Sequence, residues 1–255
     1  LINTIDPISN FSKESGQNMT ITGYVKDDCG DKLYGSTAPE QVYFNLTHDS
    51  YTYQCMASQS GENWECTTFN PHQSNAPLGW YNVTMYSNKT YHWDGITIVE
   101  NAFFLATVPD PFNPSVSPQP GGWGESPFNF SVYVTDEDNN TVNVTLWIND
   151  GSGWTLNGTD SCTNCSNTLI YFLLNFTKHD VGNWQYRFET NDTAGFGNLT
   201  EGTFIIERDN ITISVLQGNG GKINRSDSRP NHQINLSVQI NDTDVNNYTI
   251  DFNKV

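Results

Sequence analysis

The sequence predicts an all-β protein built from tandem β-sandwich domains, two complete and a third incomplete. Short segments alternate apolar and polar residues, as strands do when one face is buried and the other is solvated. Aromatic residues reach 13% although hydrophobic residues total only 36%, a balance that suits small cores filled by rings. The alternating segments also recur with a period of roughly 100 residues, which is typical of tandem sandwiches.

The recurrence is clearest between residues 128–146 and residues 234–252, which align without a gap at an offset of 106. Each segment predicts a strand, an acidic turn and a second strand. A weaker copy occupies residues 19–46, with a longer turn. The later strands repeat as well, because residues 79–90 resemble residues 182–193. The repeat predicts three domains, at residues 1–107, 108–208 and 209–255.

Two linkers are predicted between these domains. Residues 109–114 carry three prolines, and proline lacks the N–H that a strand ladder requires. The second boundary, residues 207–210, is shorter and polar. The third domain would hold only the first half of a unit, with one apolar face. We therefore expect further sequence or strands from a neighbouring subunit to cover that face, formed by Ile234, Leu236, Val238, Ile240, Tyr248, Ile250 and Phe252.

The pattern Asn-X-Ser/Thr, the acceptor sequence for N-linked glycan, occurs 18 times, whereas the composition gives roughly six by chance. This excess predicts a glycosylated chain that lies outside a membrane, although a chain rich in Asn and Thr also gains such sites passively. Asn164 is expected to be the emptiest site. The candidate asparagines are Asn10, Asn18, Asn45, Asn82, Asn88, Asn129, Asn139, Asn143, Asn157, Asn164, Asn175, Asn191, Asn198, Asn210, Asn224, Asn235, Asn241 and Asn247.

Charge and hydropathy exclude two classes of partner. The formal net charge is -17, so a nucleic-acid partner is not expected, because phosphate would be repelled. No apolar run approaches the roughly 20 residues of a membrane-spanning helix. The chain begins with Leu1 rather than Met, which indicates processing or trimming.

The five cysteines favour disulfides if the chain is extracellular. Cys55 and Cys66 flank a turn and are expected to join neighbouring strands, while Cys162 and Cys165 are expected to close a loop. Cys29 is left over, so it is free, pairs with another chain, or displaces one of the other partners. A redox role for the Cys-X-X-Cys pair is disfavoured, since no βαβ pattern surrounds it.

Acidic turns occupy the same place in every repeat. Asp136 and Asp138 in the second copy correspond to Asp242 and Asp244 in the third. Carboxylates two residues apart in a turn are the hard oxygen ligands that calcium prefers, so these four residues are candidate ligands. The alternative is that the aspartates stabilise the turns by accepting bonds from their own backbone. In the first copy Cys29 replaces the second aspartate, which weakens the calcium interpretation there.

The segments that follow Pro114, through Phe130-Ser-Val-Tyr-Val-Thr-Asp-Glu-Asp to Val144-Thr-Leu-Trp, resemble the Ig-like repeats of archaeal-type S-layer and cell-surface N-glycoproteins. The stretch from Asp180 through Trp184 to Asn198 is similar to the late strands of extracellular Ig-like domains. The resemblance implies Ig-like Greek-key sandwiches and a structural role in an S-layer or extracellular filament, whose partners are further copies of the same chain.

The sequence shows no catalytic constellation, so an enzyme is not expected. The five histidines are scattered, and neither a His-X-X-X-His nor a Gly-X-Ser-X-Gly pattern occurs. Two alternatives to the structural role remain: an adhesin or carbohydrate-binding module, or accessory domains of a secreted hydrolase. A binding module requires solvent-facing aromatics, for which Trp123 is the best candidate; Trp147 and Trp184 are expected to pack in cores.

Overall fold

A computed structural model describes residues 1–123, 126–208, 211–217, 237–242 and 247–250. Within these ranges the regular structure consists of twenty strands and two single-turn 3-10 helices. The strands form five sheets: two in each complete sandwich and one in the last segment. None of the helices in the described ranges is long and apolar enough to cross a bilayer.

The first sandwich packs a four-stranded sheet, in the order β1-β3-β7-β6, against a five-stranded sheet, in the order β2-β9-β8-β4-β5. All neighbours are antiparallel except β2 and β9, which run parallel. The strands are β1 Ile2–Ile5, β2 Phe11–Ser12, β3 Met19–Lys26, β4 Gln41–His48, β5 Tyr51–Met56, β6 Ser58–Ser60, β7 Asn63–Phe69, β8 Gly79–Asn88 and β9 Gly95–Ala106.

The second sandwich repeats this arrangement with sheets β10-β12-β15 and β11-β17-β16-β13-β14. Again the short second strand, β11, runs parallel to the last strand, β17. Strands that cross between two sheets in this order make the Greek-key immunoglobulin arrangement, so the predicted fold class is confirmed. The strands are β10 Asp110–Ser117, β11 Gly121–Gly122, β12 Phe128–Thr135, β13 Thr141–Asn149, β14 Trp154–Thr163, β15 Thr168–Leu174, β16 Gly182–Asp192 and β17 Gly197–Glu207.

Each sandwich has its own core, and strand alternation builds both. In the second sandwich, β12 and β13 lie in opposite sheets, and alternate residues of each strand point into the core. These residues are Phe128, Phe130, Val132 and Val134 on β12 and Val142, Val144, Leu146 and Ile148 on β13. In the first, Ile21 and Val25 on β3 lie opposite Phe44 and Leu46 on β4. Because side chains alternate between the faces of a strand, the sequence pattern alone identifies these buried positions.

The two sandwiches share an aromatic corner at the start of β8 and of β16. Buried Tyr81 donates from its hydroxyl to the carbonyl oxygen of Pro77 at 2.8 Å. Burial also raises the pKa of the Tyr81 hydroxyl, which keeps it protonated as a donor. The second copy has Trp184 at this place, and its indole Nε1 donates to the carbonyl oxygen of Asp180 at 2.7 Å. A hydrogen bond four residues back along the chain at this corner is a feature of Ig-type sandwiches.

Both disulfides expected from spacing are present, Cys55–Cys66 and Cys162–Cys165, each with an S–S distance of 2.06 Å. The first does not join neighbouring strands as expected. It connects β5 with β7, which belong to opposite sheets, because β6 carries the chain across the sandwich edge. The second closes the turn between β14 and β15. Cys29 is exposed and unbonded within this chain.

The predicted linker over residues 109–114 was wrong, since this segment lies largely in β10. Asp110, Pro111 and Phe112 pair with β12, and the register shifts before pairing resumes at Ser115. The prolines are tolerated because β10 is an edge strand and because Pro114 falls in the irregularity, where no ladder bond is needed. The connection between the sandwiches is therefore only residues 107–109.

The described part of the third segment forms one antiparallel sheet in the order β18-β19-β20, with β18 Ile211–Gln217, β19 Ser237–Asp242 and β20 Asn247–Ile250. The two repeat-predicted strands exist, but β19 pairs directly with β20. Their counterparts β12 and β13 instead lie in opposite sheets, where β15 and β16 supply the pairing. Ile213 and Val215 on β18 are exposed. Ile234, Leu236 and Phe252 lie outside the described residues, so the covering of the face stays a prediction.

Tyr81→Phe should lower the free energy of unfolding by about 1–2 kcal/mol, because the Pro77 carbonyl loses its donor while the ring still fills the core. Denaturant unfolding followed by tryptophan fluorescence measures this. Tyr171→Phe, on an exposed outer face, is the matched control and should change stability by less than about 0.5 kcal/mol. Equal effects for the two variants would contradict a role for the corner bond.

The cysteine replacements should differ in how much they lower the free energy of unfolding, because the two disulfides close loops of different length. Replacing both Cys55 and Cys66 by Ser should cost about 3 kcal/mol, and replacing both Cys162 and Cys165 about 2 kcal/mol, because the shorter loop restricts the unfolded chain less. Cys29→Ser should leave stability unchanged, since the thiol is exposed and unbonded. Urea unfolding of the three variants, with the disulfides verified by mass, checks the order; a large loss for Cys29→Ser would show that it has a partner.

Candidate functional site between the two sandwiches

The short connection brings the sandwiches into direct contact. Thr107, the first residue after β9, is buried. Its backbone N–H donates to Oδ2 of Asp138 at 2.9 Å, and its hydroxyl donates to Oδ1 of Asp136 at 2.9 Å. The N–H of Glu137 in turn donates to the Thr107 hydroxyl at 3.3 Å. The connection is therefore held by the acidic turn that follows β12.

The first sandwich adds two contacts of its own. Oε2 of Glu14 accepts from the N–H of Val108 at 2.7 Å. Asn10 uses both ends of its amide: Oδ1 accepts from the N–H of Phe104 at 2.9 Å, and Nδ2 donates to the carbonyl oxygen of Ala194 in the β16–β17 turn at 3.2 Å. A groove lies between the sandwiches, lined by Asn10, Trp80, Phe104, Asp138, Asn139, Asn140, Thr193 and Ala194.

Three carboxylates converge at this junction. Asp136 and Asp138 come from the turn after β12, and Asp192 is the last residue of β16. One oxygen from each lies within 4.8 Å of the others. Asp136 and Asp192 are only 6% and 5% exposed. None of the salt bridges in the described ranges involves these carboxylates, so three negative charges meet without a basic partner.

Local hydrogen bonds fix two of the carboxylates. Oδ1 of Asp192 accepts from the N–H of Phe196 at 2.6 Å, and Oδ2 accepts from Nδ2 of Asn140 at 3.0 Å. Oδ1 of Asp138 accepts from the N–H of Asn140 at 3.2 Å. Two buried oxygens, Oδ2 of Asp136 and Oδ1 of Asn140, have no hydrogen-bond partner. Buried acceptors are normally satisfied, so these two require an explanation.

The electrostatics show the cost of this arrangement. The pKa of Asp136 is raised to about 6, chiefly by burial and also by the nearby charges of Asp138 and Asp192, while the hydrogen bond from Thr107 acts in the opposite direction. A carboxylate that is desolvated next to like charges is destabilised in its ionised form. The geometry therefore offers a concentrated set of oxygen donors and lacks a positive charge.

Asp136 and Asp138 were predicted as a pair, and the structure brings Asp192 to them. Asp192 was missed because it lies more than fifty residues away along the chain and only the pairing of β13 with β16 places it there. The later-strand repeat gave no signal for Asp192, because it aligns this residue with Lys89 of the first copy. Asp242 ends β19, and Asp244 lies outside the described residues; calcium binding at both stays a prediction.

The first copy keeps only one of the three equivalent carboxylates, and the side chains grouped at its turn are Asp27, Asp28 and Cys29. Cys29 occupies the place of Asp138, and Lys89 occupies that of Asp192. Asp27, at the place of Asp136, accepts through Oδ1 from the N–H groups of Cys29 and Asp31 at 3.0 and 2.9 Å. The carboxylate of Asp27 thus caps its own turn, as the alternative interpretation of these aspartates expects.

The aromatic predictions need correction. Trp147 lies on the outer face of β13, because Leu146 and Ile148 on either side point inward, and the guanidinium of Arg187 covers its ring at 5.6 Å. Trp123 is half-buried against the second core rather than exposed. Trp184 packs on Phe204, as expected. The most exposed large aromatics in the described ranges were not singled out: Tyr91 and Trp93, at 102% and 91% exposure, in the β8–β9 turn.

The glycosylation motifs lie mostly at the surface. Side chains are described for thirteen of the eighteen candidate asparagines, and three of these are half-buried: Asn45, Asn82 and Asn88. Ten are exposed: Asn10, Asn18, Asn129, Asn139, Asn143, Asn157, Asn164, Asn175, Asn191 and Asn198. The side chains of Asn210, Asn224, Asn235, Asn241 and Asn247 lie outside the described set.

No protein-family model matches the chain, and no curated protein matches it in sequence. Solved structures do show similarity. A tetra-tandem repeat from the extending region of a large adhesion protein is 14% identical, with a TM-score of 0.38, over 94% of this chain and 55% of that one. A bacterial ice-binding adhesin is 14% identical, with a TM-score of 0.37, over 97% and 77%. A Salmonella alpha-2-macroglobulin is 10% identical, with a TM-score of 0.30, over 94% and 17%.

This chain thus spans about half the length of the first adhesin structure. Similarity at these scores does not indicate what the chain binds or assembles with.

Proposed function

We propose that the chain is part of an N-glycosylated extracellular surface protein, in which tandem Ig-like sandwiches serve as structural units of an S-layer or extracellular filament. The exposure of ten candidate asparagines on two compact sandwiches is the observation that carries this proposal. A glycosylation motif functions only where its side chain is accessible, and an excess of motifs combined with this exposure is expected of a chain adapted to carry sugar.

Covalent structure supports the same compartment. The two disulfides fit an oxidising environment, because cytosolic thiols are kept reduced. The acidic balance of the chain keeps such a surface hydrated and soluble. The three-residue connection with its hydrogen bonds suits a rod of fixed spacing better than a flexible tether, because few backbone torsions lie between the two cores.

Apolar rows on the outer faces suit contacts between copies of the chain. On the first sandwich a row crosses four paired strands through Met56, Tyr43, Tyr86 and Ile96, and the two tyrosine rings are 4.7 Å apart. On the second, Phe112, Tyr133 and Leu169 form a similar row. Contiguous apolar surface outside the core is typical of interaction sites. The first row lies on the five-stranded sheet of its sandwich and the second on the three-stranded sheet, so the two rows occupy different faces.

An adhesin or carbohydrate-binding module is the second candidate, and one observation favours it. Tyr91 and Trp93 project from the β8–β9 turn almost free of protein contact. Exposed rings stack on sugar faces or insert into protein pockets, and loops at the end of an Ig-type sandwich are frequent binding sites. A glycan array would separate the two candidates. A binding module should bind glycan and lose that binding in the Trp93→Ala variant, whereas the structural role predicts no change between the variant and the parent.

Glycosylation is tested on protein from the native source by intact-mass measurement before and after enzymatic or chemical deglycosylation. We expect a mass well above the 28.6 kDa of the bare chain, falling on deglycosylation. Peptide mapping should find Asn129 and Asn143 occupied, because both face outward from strands. Asn164, between two bonded cysteines, and Asn10, whose amide is engaged at the junction, should be the least occupied. An unmodified chain mass would overturn the glycosylation part of the proposal.

Assembly is tested by electron microscopy of the native material and of purified chain. We expect a lattice or fibre, and the double variant Met56→Ser with Ile96→Ser should disperse it by removing both ends of the apolar row. Leu156→Ser is the matched control, since this exposed leucine lies outside both rows. Dispersed monomers for the unaltered protein would favour the binding-module alternative.

A further inference from the structure

We propose that the junction between the two sandwiches binds a calcium ion through Asp136, Asp138, Asp192 and the side-chain oxygen of Asn140. This site combines the predicted acidic turn with a residue that the turn alone did not identify. It does not depend on glycosylation or on assembly, so it stands or fails separately from the proposed function.

The spacing of the carboxylate oxygens fits one calcium ion. Calcium binds oxygen donors at 2.3–2.6 Å, so donors on opposite sides of one ion lie about 5 Å apart. One oxygen from each carboxylate falls within 4.8 Å of the others, which is the span that a single ion requires. The donors come from two turns, after β12 and at the end of β16. Irregular sets of this kind suit calcium, whereas magnesium requires near-ideal octahedral geometry.

Two side-chain oxygens at the cluster have no hydrogen-bond partner. Asp136 is more than nine-tenths buried, and its Oδ2 has no hydrogen-bond partner, although its Oδ1 accepts from Thr107. Oδ1 of Asn140 is also buried and unpartnered, while the Nδ2 of the same amide is oriented by Asp192. Two acceptor oxygens left free beside three carboxylates suit a cation, which accepts oxygen lone pairs and also neutralises the neighbouring charges.

The cluster also concentrates negative charge. Two buried carboxylates and a third beside them would repel one another, and no basic side chain in the described ranges forms a salt bridge with them. Buried charge without a counter-charge is strongly destabilising. A divalent cation would neutralise most of it. The first copy provides an internal contrast, because Cys29 and Lys89 at the equivalent places replace two carboxylates and introduce a positive charge.

The position gives the ion a role. Thr107 bonds both Asp136 and Asp138, so an ion that fixes these carboxylates also fixes the connection between the sandwiches. The inference is therefore of a calcium-dependent junction between these two sandwiches.

Calorimetric titration of the chelator-treated full chain with calcium chloride, at constant ionic strength, tests the site. We expect binding with a Kd on the order of 10⁻⁴–10⁻³ M or tighter, as for extracellular calcium modules, and a higher thermal unfolding midpoint in calcium. Asp192→Asn should weaken this binding at least about tenfold. Asp27→Asn, at the equivalent turn of the first copy, is the matched control and should bind as the parent does. Circular dichroism verifies that each variant is folded.

Asp136→Asn provides a readout that a merely structural role would not move. In chelator it should unfold at a higher temperature than the parent, because a buried charge is removed. In calcium the order should reverse, because a ligand is lost. The proposal is overturned if Asp192→Asn and Asp136→Asn bind calcium as tightly as the parent, if Asp27→Asn weakens binding equally, or if the parent gains no stability from calcium beyond that given by magnesium.

Discussion

The chain passes from the last strand of one sandwich to the first strand of the next in three residues, and the contacts between the sandwiches depend on this constraint. Because the connection is so short, Thr107 is buried against the second sandwich. Its N–H and its hydroxyl both donate to carboxylates of the turn after β12. The pairing of β13 with β16 brings Asp192 beside the same turn.

Much of the fold could be predicted because strand alternation is a local property. Phe128, Phe130, Val132 and Val134 are buried since each lies two residues from the next on one face. The same rule, applied strictly, also places Trp147 outward, and the expectation of a core role failed because residue type was given more weight than register. The prolines in β10 led to the wrong prediction of a linker for a related reason. A strand tolerates proline when it lies at the edge of a sheet, and the local sequence does not show whether it does.

The site was predictable only in part, and the limit is topological. Asp136 and Asp138 are neighbours in sequence, so their proximity was evident. Asp192 joins them through the pairing of β13 with β16 and the crossover that precedes it. The disulfide between Cys55 and Cys66 shows the same limit, because its spacing indicated a link but could not show that the link crosses from one sheet to the other.

Comparison of the repeats separates what the fold requires from what the junction requires. The corner bond is kept although its donor changes from Tyr81 to Trp184, so the fold requires a buried ring with a donor at this place rather than one residue type. The acidic cluster is not kept, since Lys89 replaces Asp192 in the first copy. The full set of three carboxylates is therefore not needed to close a sandwich, and in the second copy two of them, Asp136 and Asp138, accept hydrogen bonds from Thr107 in the connection. Asn139, an exposed glycosylation candidate, lines the groove between the sandwiches beside this cluster. A sugar on Asn139 would therefore stand at the groove, so the surface coat and the junction would meet there.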